Sequence, residues 1–460
     1  MKQVLLVGLD VGTTTVKAVV FDEHGTALAE GRADTPWSVS PQGVQLEAAG
    51  LLEAAALALT CALASAPAGP VASIGITGMG ESGVLIGPDG KEVGPVIAWH
   101  DRRDLAELES LRSDISGDAF SVRTGLPMTE QWSLTKHRWL LSHLPDTRRA
   151  TMRLSIPEWI AFSLGGAPVS EFSLASRTGW LDLASRTWWT ETLEWSGATR
   201  SLLPELVMAG TNLGAVSADA GLNSLTGAVI AVAGHDHQAA VAGAGAHLPG
   251  DVLDSCGTAE ALVRVIEPAL SETALLELTS AGVTAGWSVF EDKWTLLGGT
   301  QAGLVLRNVL TTLHLDSAAI ADLDANPSQG DSPIQVTIDA GQGVSIQGAT
   351  GATSKADIWR AALDAVTRQA AEVHSLMTRA VGSPSRMVVT GGWSRSSGLL
   401  QSKERVFGAL TVSPVRESGA RGAAFFGGLA AGIYGSAADF PSGAGQNPST
   451  NTALQTEKAL

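Results

Sequence analysis

Twice in this chain an apolar run breaks into an acid followed by Gly-Thr, and that repeated break is the feature that most limits how it can fold. The first copy is Gly8-Leu-Asp-Val-Gly-Thr-Thr-Thr-Val-Lys-Ala18, entered from the apolar run Val4 to Val7. The second, Val252-Leu-Asp-Ser-Cys-Gly-Thr-Ala-Glu260, sets Asp254, Gly257 and Thr258 where the first has Asp10, Gly12 and Thr13, with one residue inserted. Each reads as strand, tight turn, strand. Gly12 lets the backbone approach a ligand, and Thr13, Thr14 and Thr15 add hydroxyls beside successive N–H groups, a nest that suits phosphate. Asp10 at the mouth would repel phosphate unless a divalent cation lay between them, Mg²⁺ held partly through water being the usual choice. Lys17 adds a further positive charge. For either copy alone, a plain hairpin whose acid satisfies its own turn is an equal reading. Two such hairpins, each opening one half of a long chain, are harder to explain as unrelated turns. Neither copy is a G-x-x-x-x-G-K-[ST] loop or a G-x-G-x-x-G fingerprint.

At 460 residues the chain exceeds one ordinary core, so more than one domain is expected. The character changes around Gly227, and the expected division is 1–233, 234–436 and a fraying tail over 437–460, rich in Ser, Gly, Asn and Thr. The formal net charge of −16 argues against nucleic acid or an anionic membrane as partner, because either needs a broad basic face. A bound nucleotide must then be held by local donors. Only Cys61 and Cys256 could form a disulfide, and their separation fits a reducing, cytoplasmic setting. No uncharged apolar run approaches about 18 residues, so no membrane span is expected.

Along the chain, strand and helix signals alternate. Gly25 to Ala33 reads as a third strand, Leu46 to Ala64 as an Ala/Leu-rich helix, and Val71 to Thr77 as a buried strand entering the loop Gly78-Met-Gly-Glu-Ser-Gly83. Loops at such strand ends present ligands in α/β sheets, which makes Glu81 a substrate-ligand candidate beside its plain reading as a solvated acid. Asp101 with Arg102 is open to two readings, structural ion pair or ligand clamp. Asp104 to His143 reads as helical, and Trp159, Trp180, Trp188, Trp189 and Trp195 as core and interface anchors. Ala228 to Ala233 is an apolar strand that ends in Gly234-His-Asp-His-Gln238 before a small-residue helix. Asp236 is placed to act as a general base or to help hold a metal. The His-x-His pair invites zinc, which would need further ligands the sequence does not supply. Lys355 to Val381 is a long amphipathic helix, Met387 to Thr390 a strand, and Gly391-Gly-Trp-Ser-Arg-Ser-Ser397 a glycine turn suited to a flat or anionic ligand.

Taken in order, these stretches resemble the FGGY family of carbohydrate kinases over about residues 3 to 435. The resemblance rests on Asp10-Val-Gly-Thr-Thr-Thr-Val-Lys17, Ile76-Thr-Gly-Met79, Ala98-Trp-His-Asp-Arg102, Lys136-x-x-Trp-Leu140, Thr178-Gly-Trp-Leu-Asp182, Gly234-His-Asp236, Ser255-Cys-Gly-Thr258, Gly298-Gly-Thr300, Thr390-Gly-Gly392 and Glu417-x-x-Ala-x-Gly-Ala-Ala424. It implies an α/β fold of two ribonuclease-H-like, actin-like domains flanking a catalytic cleft, with the sugar mainly on the first and ATP mainly on the second. By position it implies Asp236 as the catalytic base and Asp10 with Asp236 near Mg²⁺. Gly12, Thr13, Thr14 and Lys17, with Gly257 and Thr258, would hold phosphate, and Gly299, Gly391, Gly392 and Ser396 would lie near the nucleotide. Met79, Gly80, Glu81, Gln131, Asp236 and His237 would face the substrate.

The implied activity is transfer of the γ-phosphoryl of ATP to a hydroxyl of a small sugar, ketose or polyol, with a homodimer left open. Departures from the family bear on the substrate. Gly80-Glu81 stands where glycerol kinases have Arg-Glu, and Met79-Gly80 where xylulokinases have Met-His, so neither substrate carries over. Gln131 stands where glycerol kinases place a tyrosine, and Trp393 and Ser394 replace a usual Gly-Ala. The altered 78–83 loop and a shortened 326–353 segment would suit the alternative, an actin-like nucleotide-binding regulator without sugar kinase activity.

Overall fold

The computed structural model describes residues 3–326, 334–338 and 344–442. Contacts divide the chain into two compact units. Of the described residues, the first comprises 3–243, 265–296 and 417–441; the second comprises those within 244–264 and 297–416, with 442. The units interleave along the chain, where the composition suggested one cut between 233 and 234.

The first unit is organised on a five-stranded sheet. Its strands are β1 (Leu5–Val11), β2 (Thr15–Phe21), β3 (Ala27–Asp34), β4 (Val71–Gly78) and β5 (Val229–His235), in the order β5-β4-β1-β2-β3. The opening hairpin is antiparallel, with Asp10 opposite Lys17, while β4 runs parallel to both β1 and β5. Helix α1 (Ala48–Ser65) covers one face of the sheet. Side chains alternate along a strand, so Leu5, Val7, Leu9 and Val11 enter the core under α1 while Leu6 enters the opposite one. Gly8 and Asp10 share the face of Leu6. Helix α1 is long and apolar enough to cross a membrane by length and composition, and its Leu51, Ala55, Ala58 and Leu59 are buried in that core.

Two further helices build the opposite face: α2 (Asp236–Ala244), which follows β5 directly, and, after the second unit has been traversed, α6 (Ser418–Ala430). Their small residues are a packing requirement. A Cβ at Gly8 would overlap the Ala420 carbonyl, one at Gly75 the Ala423 carbonyl, and one at Gly422 the Ala239 carbonyl. Helix α6 thus lies backbone to backbone on the sheet and on α2, which carries its N-terminus to Asp10. Phe440 packs on Phe425 and Phe426 at ring-centroid distances of 5.3 and 5.2 Å and is buried. The frayed tail expected from 437 therefore does not begin there; residues 443–460 lie outside the described residues.

The second unit holds β6 (Asp251–Cys256), β7 (Glu260–Ile266), β8 (Trp294–Thr300), α3 (Ala302–Thr312), α4 (Lys355–Val381), β9 (Arg386–Thr390), α5 (Ser397–Phe407) and β10 (Leu410–Val412), with strand order β8-β7-β6-β9-β10. Strands β7 and β8 begin or end across the boundary with the first unit. The second hairpin is antiparallel, and β9 runs parallel to β6 and β10. Helix α4 begins in a capping box, the Ser354 hydroxyl accepting the Asp357 N–H (3.1 Å) and the Asp357 carboxylate accepting the Ser354 N–H (3.0 Å), which satisfies two otherwise orphaned donors.

The expected helix over 104–143 is three helices, Leu105–Asp114, Gly117–Thr124 and Ser133–His143, the second ended by left-handed Gly125. Trp159, Trp180, Trp188 and Trp189 are buried, whereas Trp195 is half-buried and donates to Asp114 (3.0 Å).

Candidate active site

The opening turn is braced through its carbonyls. Gly12 N–H donates to the Thr15 carbonyl (3.2 Å), the Thr35 hydroxyl donates to the Gly12 carbonyl (2.7 Å), and the Trp37 indole donates to the Thr13 carbonyl (2.6 Å). Trp99 holds the Thr13 hydroxyl (3.0 Å). The N–H groups of Thr13 and Thr14 find no acceptor among the described residues, the arrangement a phosphate nest requires. Lys17, on the Asp10 face of β2, is already engaged: its ammonium lies 2.8 Å from Glu417, whose other oxygen takes Arg32 (2.6 Å). Its charge is shared with Glu417 and is not spare for phosphate.

Asp10 Oδ1 is buried without a hydrogen-bond partner, and its carboxylate faces Gly419 at the start of α6, where a side chain would collide with it. Burial, then the charge of Asp236, push the Asp10 carboxyl up to about 7, against the pull of Lys17. Asp236 is the first residue of α2. Its Oδ1 accepts the His237 N–H (2.6 Å) and lies 3.5 Å from His235 Nδ1, and about a quarter of its side chain is exposed. Burial would raise this carboxyl, but His237, His235, the His237 N–H and Arg177 outweigh it and hold it below the usual carboxylate range. Two acids within range of each other's charge, one with an orphaned oxygen, therefore stand at the ends of β1 and β5.

Behind Asp236 the backbone is pinned. The Thr77 hydroxyl donates to the carbonyl of left-handed Gly234 (2.6 Å), and the His235 N–H donates to Ser173 Oγ (2.9 Å), which itself donates to buried Glu171 (2.6 Å). Burial leads in pushing the Glu171 carboxyl up to about 7 and the His235 imidazole down to about 4, so His235 is neutral at neutral pH.

The 78–83 loop contributes less than the sequence suggested at one residue and more at another. Met79 is 2 % exposed and belongs to the apolar core. Glu81 is also buried, not a solvated loop acid, and it accepts Arg177 Nη2 (2.7 Å), Arg177 Nε (2.9 Å) and Gln131 Nε2 (3.0 Å). Gly80 lies beside the Arg177 stem and the His235 ring, and His237 is half-buried next to Asp236. Asp101 pairs with Arg103, not Arg102, and accepts the Val44 N–H; Asp101 and Arg103 are both buried, so this is a structural clamp on the 38–46 hairpin, while Arg102 reaches Glu130 (2.9 Å).

In the second unit the turn Gly257–Thr258, Gly299 near the end of β8, and Gly391–Gly392 after β9 come together at one end of the sheet. Gly391 is left-handed (φ 95°), and a Cβ there would overlap the Cys256 backbone. Gly299, Gly392 and Thr258 are exposed at that edge. Ser396 stands apart from them: buried, it caps α5 by accepting the Leu399 N–H (3.1 Å) and donates to Asp324 (2.8 Å). Trp393 is likewise turned inward, against Trp359 at 6.2 Å. The hairpin acid Asp254 is wholly buried with Glu260, and the ammonium of Lys403 bonds both. Among the described residues, Asp254, Cys256 and Glu260 form a group of three metal-ligating side chains close enough to share an ion, and Lys403 already supplies their cation.

Arg177, Glu417 and Lys403 were not foreseen as site residues. Arg177 immediately precedes the Thr178-to-Asp182 motif and Glu417 opens another, which were the available signals; Lys403 lies mid-helix with no local mark.

Residues 5–243 match the N-terminal domain of the FGGY family of carbohydrate kinases. The glycerol kinase of Bordetella parapertussis is 31% identical over 465 residues, covering 95% of this chain and 90% of that protein. The crystal structure of Plasmodium falciparum glycerol kinase with ADP superposes with a TM-score of 0.85 at 19% identity, over 95% of this chain and 91% of that one. A gluconate kinase from Lactobacillus acidophilus gives 0.84 at 19% identity over the same shares, 95% and 91%. At these identities the two structures speak for the fold, the expected α/β pair of domains.

Proposed function

This chain belongs to the FGGY family of carbohydrate kinases, phosphotransferases with an alcohol group as acceptor, and from that premise we propose that it transfers the γ-phosphoryl of ATP to a hydroxyl of a small sugar, ketose or polyol, with Asp236 as general base. The observation that carries this reading is the pair Asp10 and Asp236, strand-end acids that repel one another, one of them with a buried oxygen lacking any partner.

Asp236, held below the usual carboxylate range, accepts the proton of the acceptor hydroxyl as that oxygen attacks the γ-phosphorus. The bond from phosphorus to the β,γ-bridging oxygen breaks, ADP leaves, and the proton remains on Asp236. Asp10 and Asp236 fit a divalent cation: two acids that repel one another, with an oxygen orphaned in the apo fold, are a donor set a hard cation satisfies. Bound there, partly through water, Mg²⁺ would neutralise charge on the phosphates. Gly12 and the free N–H groups of Thr13 and Thr14 are assigned to phosphate, as are Gly257 and Thr258; Gly299, Gly391 and Gly392 are assigned to the nucleotide. Glu81, Gln131 and His237 are assigned to the acceptor. A cytoplasmic setting goes with this reading, on the two unpaired thiols Cys61 and Cys256.

The test is ADP release with a panel of sugars and polyols. Asp236→Asn keeps the shape of the site and removes the base, and acceptor-dependent turnover should fall by about 10²–10⁴-fold. Full turnover in that variant would remove Asp236 from the mechanism.

A further inference from the structure

Resting on the kinase reading above, we propose that Arg177 is the positioning residue of the acceptor site: it holds Glu81 by one oxygen, leaves the other oxygen to accept a substrate hydroxyl, and, with its own charge consumed, restricts the acceptor to uncharged polyhydroxy compounds and excludes sugar acids.

An arginine facing a carboxylate usually meets it as fork to fork, one bond to each oxygen. Here both Arg177 bonds, from Nε (2.9 Å) and Nη2 (2.7 Å), converge on Glu81 Oε1, and Gln131 adds a third donor to that same atom (3.0 Å). Oε2 accepts none of these. The guanidinium cannot swing away: Nη1 donates to the Thr284 hydroxyl (2.9 Å), and the charge sits over the Trp132 ring at 4.9 Å. Glu81 is equally fixed at its backbone, whose carbonyl accepts the Ser133 hydroxyl (2.6 Å) and Arg153 Nη2 (3.4 Å). A buried carboxylate whose side-chain donors all fall on one oxygen leaves the other as a preformed acceptor for a hydroxyl.

The place of this pair links it to the chemistry. A Cβ built on Gly80 would stand 3.0 Å from Arg177 Cγ and 3.1 Å from His235 Cδ2, so the Arg177 stem, the Gly80 backbone and the turn that carries Asp236 share one wall. The carboxylates there are those of Glu81, Asp236 and Asp10; of the two guanidiniums, Arg177 is paired with Glu81, and Arg153 bonds the Glu81 carbonyl and the Ser133 hydroxyl. Arg177 is 6 % exposed and its charge is balanced by Glu81, and Arg153 is buried and turned onto the Ser133 and Ser155 hydroxyls, so neither cation of this wall is presented to a substrate carboxylate. A neutral hydroxyl needs none. The likeness of the fold to a gluconate kinase therefore does not extend to the acceptor.

The experiment uses the full chain with ATP and Mg²⁺ and offers matched pairs, each neutral ketose or alditol beside the aldonate of the same carbon number. Neutral acceptors should exceed their aldonates in kcat/KM by roughly a hundredfold or more, the effect of setting a like charge in a partly desolvated site. Arg177→Met should raise the acceptor KM by about tenfold or more, the weight of a charge-assisted hydrogen bond, and leave the KM for ATP within about twofold. It should also move the acidic limb of kcat/KM to higher pH. The groups facing Glu81 are Arg177, Gln131, His235 and Arg153, and of the charges that favour its ionised form the first is the largest. Arg177→Lys should restore part of the KM and of the limb, which a purely structural role would not predict; melting temperatures of both variants, and of Glu81→Gln, separate folding from recognition. An aldonate turned over as well as its neutral partner overturns the inference and leaves the kinase standing. So does a folded Arg177→Met with wild-type acceptor KM and pH limb. Absence of turnover with every acceptor of both classes overturns the kinase reading, and this inference with it.

Discussion

The hairpins β1–β2 and β6–β7 share a local sequence, an acid and then Gly-Thr, and their acids have opposite fates. Asp10 ends β1 with one oxygen orphaned, Asp236 as a neighbour, and its protonation pushed toward neutrality. Asp254, in the equivalent strand, is wholly buried and bonded to Lys403, which also takes Glu260, which in turn accepts the Thr300 hydroxyl (2.7 Å). Burial works against the charge on Lys403, but Asp254, the Cys256 thiol and Glu260 outweigh it and lift its pKa well above the ordinary lysine value. One hairpin leaves its acid short of a cation; the other supplies a cation from its own chain. The turn geometry is common to both, and the charge that completes each decides its role. The ion triad beside Gly257 and Thr258 completes its own charge balance, whereas the acids at Asp10 leave open the binding role proposed for them.

The contrast can be broken by exchanging the deficits. Lys403→Met strands two carboxylates in the core and should cost about 3–5 kcal/mol of stability, read as a fall in chemical-denaturation midpoint. Adding Asp254→Asn and Glu260→Gln should return much of that loss. If Lys403→Met alone is neutral to stability, the second hairpin is not held by its ion triad. Asp10→Asn should act the other way round, lowering kcat by about 10²-fold through lost charge stabilisation while the melting temperature of the unliganded protein holds or rises. A larger kinetic defect from Asp254→Asn than from Asp10→Asn, at equal folding, would reverse the assignment of the two acids. The smallest effect belongs to Lys17→Met. Its side chain is 30 % exposed and its ammonium is paired with Glu417, so its removal should cost no more than about 0.5–1 kcal/mol, shrinking in high salt. A fall in ATP affinity beyond that scale would show that Lys17 leaves Glu417 for phosphate.

Much of this was legible in the order of residues. The opening hairpin, the strand into Gly234-His-Asp236, and helix α4 at its observed limits of Lys355 and Val381 follow from local periodicity and turn chemistry. Asp10, Asp236, Glu81 and the glycines beside the second hairpin were all identifiable as strand-end residues. Ser396 and Met79 were drawn in by their neighbours in sequence, and the structure turns the first into a helix cap and the second into core. The interleaving of the two units was unreadable for a related reason. The sequence marks α6 as a tightly packing helix but cannot say that it packs on strands some 400 residues earlier.

What the sequence determined by itself is the set of local devices: two Gly-Thr hairpins, an acid before a small-residue helix, an apolar α/β alternation. Each is dictated by the conformational freedom and hydrogen bonding of a few adjacent residues. Only the tertiary structure decided what each acid meets. Arg177 lies 96 positions from Glu81, Lys403 149 from Asp254, and Glu417 400 from Lys17. A charge buried in a protein takes its meaning from whatever cation stands within a few ångströms, and closeness in space carries no signature along one chain.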